Sequence, residues 1–279
     1  MKLKDESKLK GYDELSSSYE FDFENVSIGK VTSRMFPILL NKSFWNGLGY
    51  AVLDRCKLLE KEDIDPFYMV RGEIAEIMAE SYLANFYSQH GIEIVTKRFT
   101  PESVGYDMFK KNEKFSGVVD IGISAPEERR AVVEVKSKNE KDYERIVVER
   151  KYDETEVLQG KFLTRMSKVE KCMMCWVFFN NHHEEAIKLQ MEILKTKNAE
   201  KIIKELNLNF TQFQYHIEAY KVDYDEMDEL MNKAYENLHR NVSSSKIHRS
   251  FFTETEQQYL DKLLNYETNV EIDEDSLPF

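Results

Sequence analysis

One short segment combines a strand-forming apolar run with two charged side chains. Residues 132–136 read Val-Val-Glu-Val-Lys, and the valines predict a strand over residues 130–138. Side chains alternate between the two faces of a strand, so Glu134 and Lys136 project to the same side. Charged groups are rarely buried unless they are paired or bind a metal ion. The segment therefore predicts a buried strand with a polar site on one face, although an isolated pair of this kind is also typical of a surface hairpin.

A further carboxylate lies on the strand predicted just before this one. Residues 114–124 predict a strand that carries Asp120, and a turn at residues 125–128 joins it to the strand with Glu134. If the two strands are neighbours, Asp120 and Glu134 provide hard oxygen ligands for Mg²⁺, and Val135 could add its backbone carbonyl. Lys136 would position an attacking water or help deprotonate it, and would counter the charge of a phosphate. Such a set suits phosphodiester hydrolysis.

The rest of the pattern predicts helices around these strands. Residues 31–59 predict two helices, and Asp65-Pro66 starts a long helix that ends at Gln89. The elements expected after it are a strand at 92–99, a helix at 154–169, a strand at 172–180, a helix at 183–197, a strand at 213–222, and helices at 224–241 and 253–264. This order indicates an α/β (α+β) fold, with a central mixed sheet flanked by helices.

We predict four segments along the chain. Residues 1–28 are polar and are expected to form a flexible arm. A catalytic domain follows at 29–245, made of N-terminal helices at 29–62 and a core at 63–245. A C-terminal helix at 246–266 and an acidic, disordered tail at 267–279 complete the chain.

The motifs and their order resemble the PD-(D/E)XK nuclease superfamily, especially its phage lambda exonuclease-like branch. The similar segments are Ile28–Ser33, the Gly72-x-x-x-Glu76 helix, Val119-Asp120, Glu134-Val135-Lys136 and Leu158-Gln159-Gly160-Lys161-Phe162. The resemblance implies a restriction-endonuclease-like core and a DNA nuclease that uses one or two Mg²⁺ or Mn²⁺ ions. It favours an exonuclease of phage-type DNA recombination and repair. An endonuclease of the same fold, and a catalytically silent repair adaptor or inhibitor, remain as alternatives.

The resemblance also implies which residues act. It selects Glu76 rather than Glu73 from the long helix and adds Gln159. The implied catalytic residues are Glu76, Asp120, Glu134, Lys136 and Gln159, and the implied metal ligands are Glu76, Asp120, Glu134 and Val135. Ser33 and Arg34, at the opening of the first helix, are expected to contact DNA. Relatives include ring-shaped trimers, so a homo-oligomer is left open.

The charge distribution bears on DNA as a partner. The net charge is −12 and the pI is near 5.2, which argues against a general nucleic-acid binder. Between Lys136 and Lys171, however, ten residues are basic and eight are acidic. Lys161, Arg165 and Lys168 are three or four positions apart and share one helix face. We expect Lys138, Lys161 and Arg165 to contact the DNA backbone; a solvated helix face is the alternative.

The last residues form an acidic tail that ends in Leu-Pro-Phe. Residues 267–279 contain five acids and no base. The tip resembles that of bacterial single-stranded-DNA-binding proteins, which implies docking onto host replication or repair proteins. The expected contact residues are Asp273, Asp275, Pro278 and Phe279. A solubilising tail is the alternative.

The cysteines and the apolar runs limit the compartment. Three cysteines do not suggest a disulfide framework. Cys172 and Cys175 invite a zinc or iron–sulfur interpretation, but their place on an apolar strand favours the core. Neither a signal peptide nor a membrane span is expected. We therefore expect a reducing cytosol and no membrane partner; the resemblance implies the cytoplasm of a bacterium or of a phage-infected host.

Overall fold

The computed structural model describes residues 1–43, 45–61, 63–127 and 130–271 of the 279-residue chain. The strands are β1 Leu9–Asp13, β2 Ser18–Phe21, β3 Val31–Thr32, β4 Val95–Arg98, β5 Phe115–Ser116, β6 Ile121–Ser124, β7 Arg130–Asn139, β8 Lys171–Phe179, β9 Gln214–Lys221 and β10 Lys246–His248. The α-helices are α1 Met35–Leu39, α2 Leu48–Arg55, α3 Pro66–Gln89, α4 Pro101–Val104, α5 Glu154–Met166, α6 Asn181–Leu194, α7 Ala199–Leu206, α8 Tyr224–Ser244 and α9 Glu254–Glu271. In the described part of the chain, no helix is long and apolar enough to cross a membrane.

The chain divides into two compact units. The larger unit contains Asp63–Asn112 and Ser116–Met227, and the smaller unit contains Met1–Glu62, Glu113–Phe115 and the chain from Asp228. The core was predicted to run from residue 63 to residue 245, whereas the larger unit ends at Met227. Most of α8 instead packs with N-terminal residues; for example, the Asn237 amide donates to the Leu39 carbonyl at 2.8 Å.

The larger unit is built on a five-stranded mixed sheet. Its strand order is β4-β6-β7-β8-β9. β7 and β8 are parallel, whereas the other neighbours are antiparallel. The parallel pair requires a crossover connection, and α5 provides it. Helices flank this sheet, so the predicted α/β fold class is confirmed.

Helix α3 covers one face of the sheet. It spans Pro66–Gln89, the bounds expected from the sequence, and the Asp65 carboxylate caps it by accepting from the Phe67 N–H at 2.9 Å. Its buried residues Ile74 and Ala75 share one apolar core with alternate residues of β7 and β8, among them Val133. The same alternation turns the even-numbered residues of β7, including the charged ones, toward the opposite face.

The predicted strand at 114–124 is broken into two pieces. Residues 113–115 belong to the smaller unit, where the Val31 N–H donates to the Lys114 carbonyl at 2.9 Å. The first piece, β5, ends at Ser116, and the second piece, β6, begins at Ile121. Asp120 precedes a strand instead of lying within one.

The structure of the smaller unit contradicts the prediction that residues 1–28 form a flexible arm. β1, β2 and β10 form an antiparallel sheet in which Tyr19 and Phe21 are buried. The Tyr19 hydroxyl donates to Asp261 at 2.7 Å. Residues 1–28 are thus wrongly predicted as an arm, because the groups that cover their apolar side chains come from the far end of the chain. Helix α9 also runs past its predicted end, to Glu271. The predicted partner contacts, Asp273, Asp275, Pro278 and Phe279, lie outside the described residues.

Candidate active site

The centre of the candidate site lies on β7, the middle strand of the larger sheet. The Lys136 ammonium donates to Glu134 Oε1 at 2.7 Å and to Gln159 Oε1 at 3.0 Å. Only 2% of Glu134 is exposed. The pair therefore lies inside the protein, which removes the alternative of a surface hairpin.

Asp120 is attached to the same strand by a backbone hydrogen bond. Its Oδ2 accepts from the Val135 N–H at 2.7 Å, and the next residue, Ile121, is the register partner of Val133. Because Val135 lies between Glu134 and Lys136 in the sequence, this bond holds the Asp120 carboxylate beside β7. The structure thus brings Asp120, just before β6, next to the residue that follows Glu134 on β7.

Burial and neighbouring carboxylates raise the pKa of Asp120 and of Glu76. Burial raises the pKa of Asp120 well above its ordinary value, and the charges of Glu134 and Glu76 add to the shift. Burial also raises the pKa of Glu76 to about 7, with Arg98 opposing the shift and Glu134 adding to it. The site is therefore a region of negative potential that favours a bound cation.

Lys136 keeps its proton in this environment. Burial acts to lower its pKa, but the charges of Glu134 and Asp120 outweigh burial and raise that pKa above its ordinary value. Of the roles expected for Lys136, holding a water and neutralising phosphate charge suit an ammonium group.

One oxygen of the cluster lacks a hydrogen bond. Glu134 Oε2 is buried and has no hydrogen-bond partner among the described residues. Leaving a buried charged acceptor unsatisfied is costly, and a divalent cation would satisfy it. The carboxylates of Asp120 and Glu134 are the hard donors that Mg²⁺ and Mn²⁺ prefer. The residues present therefore fit such an ion.

The expected ligand Glu76 lies on a different element from the other two carboxylates. In the described parts of the chain, no group of three or more His, Cys, Asp and Glu side chains is arranged to hold a metal ion. Glu76 comes from α3, and Asp120 and Glu134 come from the sheet. Glu76 acts on the pair through its charge, because it adds to the raised pKa of Asp120; its role as a metal ligand stays a prediction.

Helix α5 brings Gln159 to the site because Gly160 lets the helix approach the sheet. A Cβ atom at Gly160 would lie 2.9 Å from the sulfur atoms of both Cys172 and Met174. This separation is shorter than a van der Waals contact. A larger residue would push α5 outward and carry Gln159 away from Lys136.

Glu156 is a residue of this region that the sequence analysis missed. Its Oε1 accepts from Lys138 Nζ at 2.6 Å and its Oε2 accepts from Trp176 Nε1 at 3.1 Å. Lys138, expected to contact DNA, is thus already engaged in an ion pair. Glu156 lies three residues before Gln159, so both are on one face of α5. This three-residue spacing from Gln159 is the sequence pattern that could have identified Glu156 as part of the site.

Arg98 is the second missed residue. Its guanidinium lies 3.6 Å from Glu73 and 3.3 Å from Glu200, and its charge acts to lower the pKa of Glu76. No motif marks it, because it is one charge at the end of β4 and its partners come from α3 and α7.

The other residues expected to contact DNA are spread over both units. In the larger unit, Lys161 Nζ lies 5.7 Å from the ring centre of Tyr220, and the Arg165 guanidinium lies 4.5 Å from that of Tyr224. Lys168 lies beyond the end of α5, so it does not share their helix face. Ser33 is buried and Arg34 precedes α1, both in the smaller unit. Their contacts with DNA stay predictions.

Cys172 and Cys175 are core residues on opposite faces of β8. Cys172 faces α5, whereas Cys175 belongs to the core cluster under α3. Three positions apart on a strand, they point in opposite directions and cannot bind one ion together. Burial raises their pKa values to about 11 and about 12, respectively.

Comparison with known proteins found similar solved structures but no matching sequence family. No protein-family model and no curated protein matches the sequence. An alkaline exonuclease from Laribacter hongkongensis superposes with a TM-score of 0.45 at 11% identity, covering 87% of this chain and 95% of that chain. Its complex with dAMP gives a TM-score of 0.45 at 12% identity, with the same coverage. A phage-related exonuclease from Haemophilus somnus 129PT gives a TM-score of 0.48 at 11% identity, covering 78% of this chain and 95% of that chain. These values are too low to assign an activity.

Proposed function

We propose that this chain is a metal-dependent nuclease that hydrolyses phosphodiester bonds in DNA. The observation that carries the proposal is the cluster of half-buried Asp120 and Lys136 around buried Glu134, in which Glu134 Oε2 has no hydrogen-bond partner among the described residues. Replacing a buried ion pair by apolar residues often leaves the stability of a protein unchanged or increases it. Stability alone therefore does not explain why this chain has such a cluster. A catalytic role accounts for it.

The mechanism assigns a task to each side chain. Asp120 and Glu134 would hold Mg²⁺ or Mn²⁺, with the Val135 carbonyl as a further ligand. A bound ion of this kind supplies an acidified water and neutralises charge that develops on the phosphoryl group. Lys136 orients that water and offsets phosphate charge. Gln159 holds the Lys136 ammonium in place through their 3.0 Å hydrogen bond, and Glu76 is available to a second ion.

Within this proposal we favour an exonuclease of phage-type recombination or repair in a bacterial cytoplasm. The support is the order of the motifs along the chain. The assay that tests the activity also separates the alternatives, because only an endonuclease opens circular DNA. A silent adaptor would degrade neither linear nor circular substrates.

The test is degradation of linear and closed circular DNA with Mg²⁺. We expect Asp120→Asn and Lys136→Met each to slow cleavage on the order of a hundredfold or more, the scale of losing one electrostatic catalytic group. Lys201→Met, which removes an exposed lysine on α7, should leave the rate unchanged. Normal cleavage by either site variant would overturn the assignment. Ca²⁺ should support binding of DNA without turnover.

A further inference from the structure

A cavity of about 810 Å³ lies at one end of the larger sheet, where β7 and β8 begin and β9 ends. Pockets of roughly 300–1,000 Å³ bury most of a drug-sized ligand. None of the candidate catalytic residues lines this cavity. Its lining residues Ala131 and Met173 belong to the core cluster under α3, whereas Glu134 and Lys136 point to the opposite face of the sheet. The cavity is therefore separate from the candidate active site.

The floor of the cavity is apolar and is formed in part by short side chains. Ala131 on β7 and Ala219 on β9 flank β8, where Met173 is the register partner of Ala219. Helix α3 ends at Gln89, and in its last turn the Tyr87 hydroxyl lies 3.9 Å from the Met173 sulfur. The alanines leave room above the strands, and Tyr87 and Met173 border that room. Such a floor suits a planar ring, because nucleobases stack on aromatic and apolar side chains.

Basic side chains surround this floor. The charged lining residues are Arg130, Lys168, Lys171, Lys221 and Glu170. Four basic groups thus meet one acidic group, in a chain whose net charge is −12. Within the described residues, none of the four basic side chains has an ion pair or a side-chain hydrogen bond. The cavity is therefore a positive site in an acidic protein, and its basic groups are available to a ligand.

Two of the basic groups lie next to each other on the same face as the floor. Lys171 on β8 and Lys221 on β9 are register partners in an antiparallel pair, and like charges in this arrangement are destabilising. Met173 and Ala219 lie two residues further along these strands, which is roughly 7 Å at the usual rise per residue. An anionic group between the lysines would relieve the repulsion and would place an attached ring over Met173 and Ala219.

We propose that this cavity binds a nucleoside monophosphate, either free or as the end of a DNA strand. A phosphomonoester carries a charge of about −1.5 to −2 near neutral pH and has three strong acceptor oxygens. It therefore neutralises the pair of Lys171 and Lys221 better than a single carboxylate does, and the base is the planar ring that the floor accommodates. A nuclease would release such compounds, but the inference rests on the lining of the cavity and shares no residue with the catalytic site.

The test is isothermal titration calorimetry of thymidine monophosphate into the full chain in EDTA, so that no divalent ion contributes. Thymidine and inorganic phosphate each lack one half of the ligand and should bind roughly tenfold more weakly or less. Lys171→Gln with Lys221→Gln should weaken binding of the nucleotide roughly tenfold or more, the scale of losing hydrogen bonds from charged groups. Lys201→Gln with Lys204→Gln, two exposed lysines on α7, changes the net charge equally and should have no effect.

Ala219→Leu tests the floor without a change of charge. Position 219 is exposed on β9, so the larger side chain fills the cavity and does not enter the core. It should weaken binding of the nucleotide roughly tenfold, the scale of a lost stacking contact, and should leave binding of inorganic phosphate unchanged. An oligothymidylate with a terminal phosphate distinguishes the two sources. Tighter binding than that of the monophosphate identifies the end of a strand, and equal or weaker binding identifies the free nucleotide.

Four results would overturn the proposal. They are no binding of the nucleotide, equal affinity of nucleotide and inorganic phosphate, equal loss of affinity in the cavity and α7 lysine pairs, and loss of binding in Lys136→Met. The last result would locate the ligand in the catalytic site. Because the DNA degradation assay does not involve the cavity, failure of this inference and failure of the proposed nuclease activity are distinguishable.

Discussion

At the residue scale, the candidate site concentrates charge where the protein interior disfavours it. Asp120 is half-buried beside the buried Glu134. The loss of solvent around its carboxylate, followed by the charges of neighbouring carboxylates, raises its pKa well above the ordinary value. Without a cation, the ionised form of Asp120 therefore works against the folded state. The same property makes the site receptive to a divalent ion.

We predict that Asp120→Asn stabilises the protein in EDTA while removing its response to Mg²⁺. The amide oxygen still accepts from the Val135 N–H, and the repulsion with Glu134 is gone. A gain of about 1 kcal/mol corresponds to roughly 2–4 °C in Tm for a protein of this size. Thermal unfolding with EDTA and with Mg²⁺ measures both effects. Asp63→Asn, at an exposed position, is the control; a lower Tm of Asp120→Asn in EDTA would contradict the prediction.

At the element scale, the site depends on how closely α5 lies on the sheet. Glu156 and Gln159 reach Lys138 and Lys136 from one face of this helix. The approach is limited by Gly160, where an added Cβ would meet two sulfur atoms at 2.9 Å. Helix position, and not only residue identity, therefore determines which groups touch Lys136.

Two glycine-to-alanine substitutions should have opposite effects. Gly160→Ala should destabilise the fold by about 1–3 kcal/mol through overpacking and should lower kcat by moving Gln159. Gly72→Ala in α3, where an added Cβ meets nothing within 4 Å, should stabilise by about 0.5–1 kcal/mol because alanine favours helices. Urea denaturation and the nuclease assay measure these effects. Stabilisation of both variants would show that α5 does not need the close approach.

At the scale of the whole molecule, the smaller unit joins the two ends of the chain. Arg249 donates to both oxygens of Asp261 at 2.8 and 2.6 Å, and the Tyr19 hydroxyl adds a third hydrogen bond. Burial acts to raise the pKa of Asp261, but these partners outweigh it and lower that pKa below its ordinary value. The cluster connects the N-terminal sheet to α9.

This cluster should make part of the stability depend on pH. A carboxyl group whose folded pKa is depressed contributes stability above its unfolded pKa, and loses it as pH falls through the folded pKa. Asp261→Asn should therefore cost about 1 kcal/mol at neutral pH, and less as pH falls below the unfolded pKa. Urea unfolding across this pH range tests it, with the exposed Glu14→Gln as control. An equal cost at both ends of the range would show that charge is not the cause.

Local patterns in the sequence determined a large part of this architecture. The alternation around Glu134 placed it and Lys136 on one face of a strand, and Asp65-Pro66 marked the start of α3. The mixed sheet followed from the order of strands and helices. These features depend on side-chain periodicity and on capping groups a few residues away. Each of them can therefore be predicted from one short segment of the sequence.

Only the tertiary structure decided the environment of each charge. It paired Lys138 with Glu156 and placed Arg98 beside Glu73. It also shows strands β1 and β2 where the sequence predicted an arm at residues 1–28. These strands form because β10 pairs with β2 and because Asp261 of α9 accepts a hydrogen bond from Tyr19. Burial and pairing depend on groups that meet only when distant segments fold together, and neither is encoded in the spacing of neighbours.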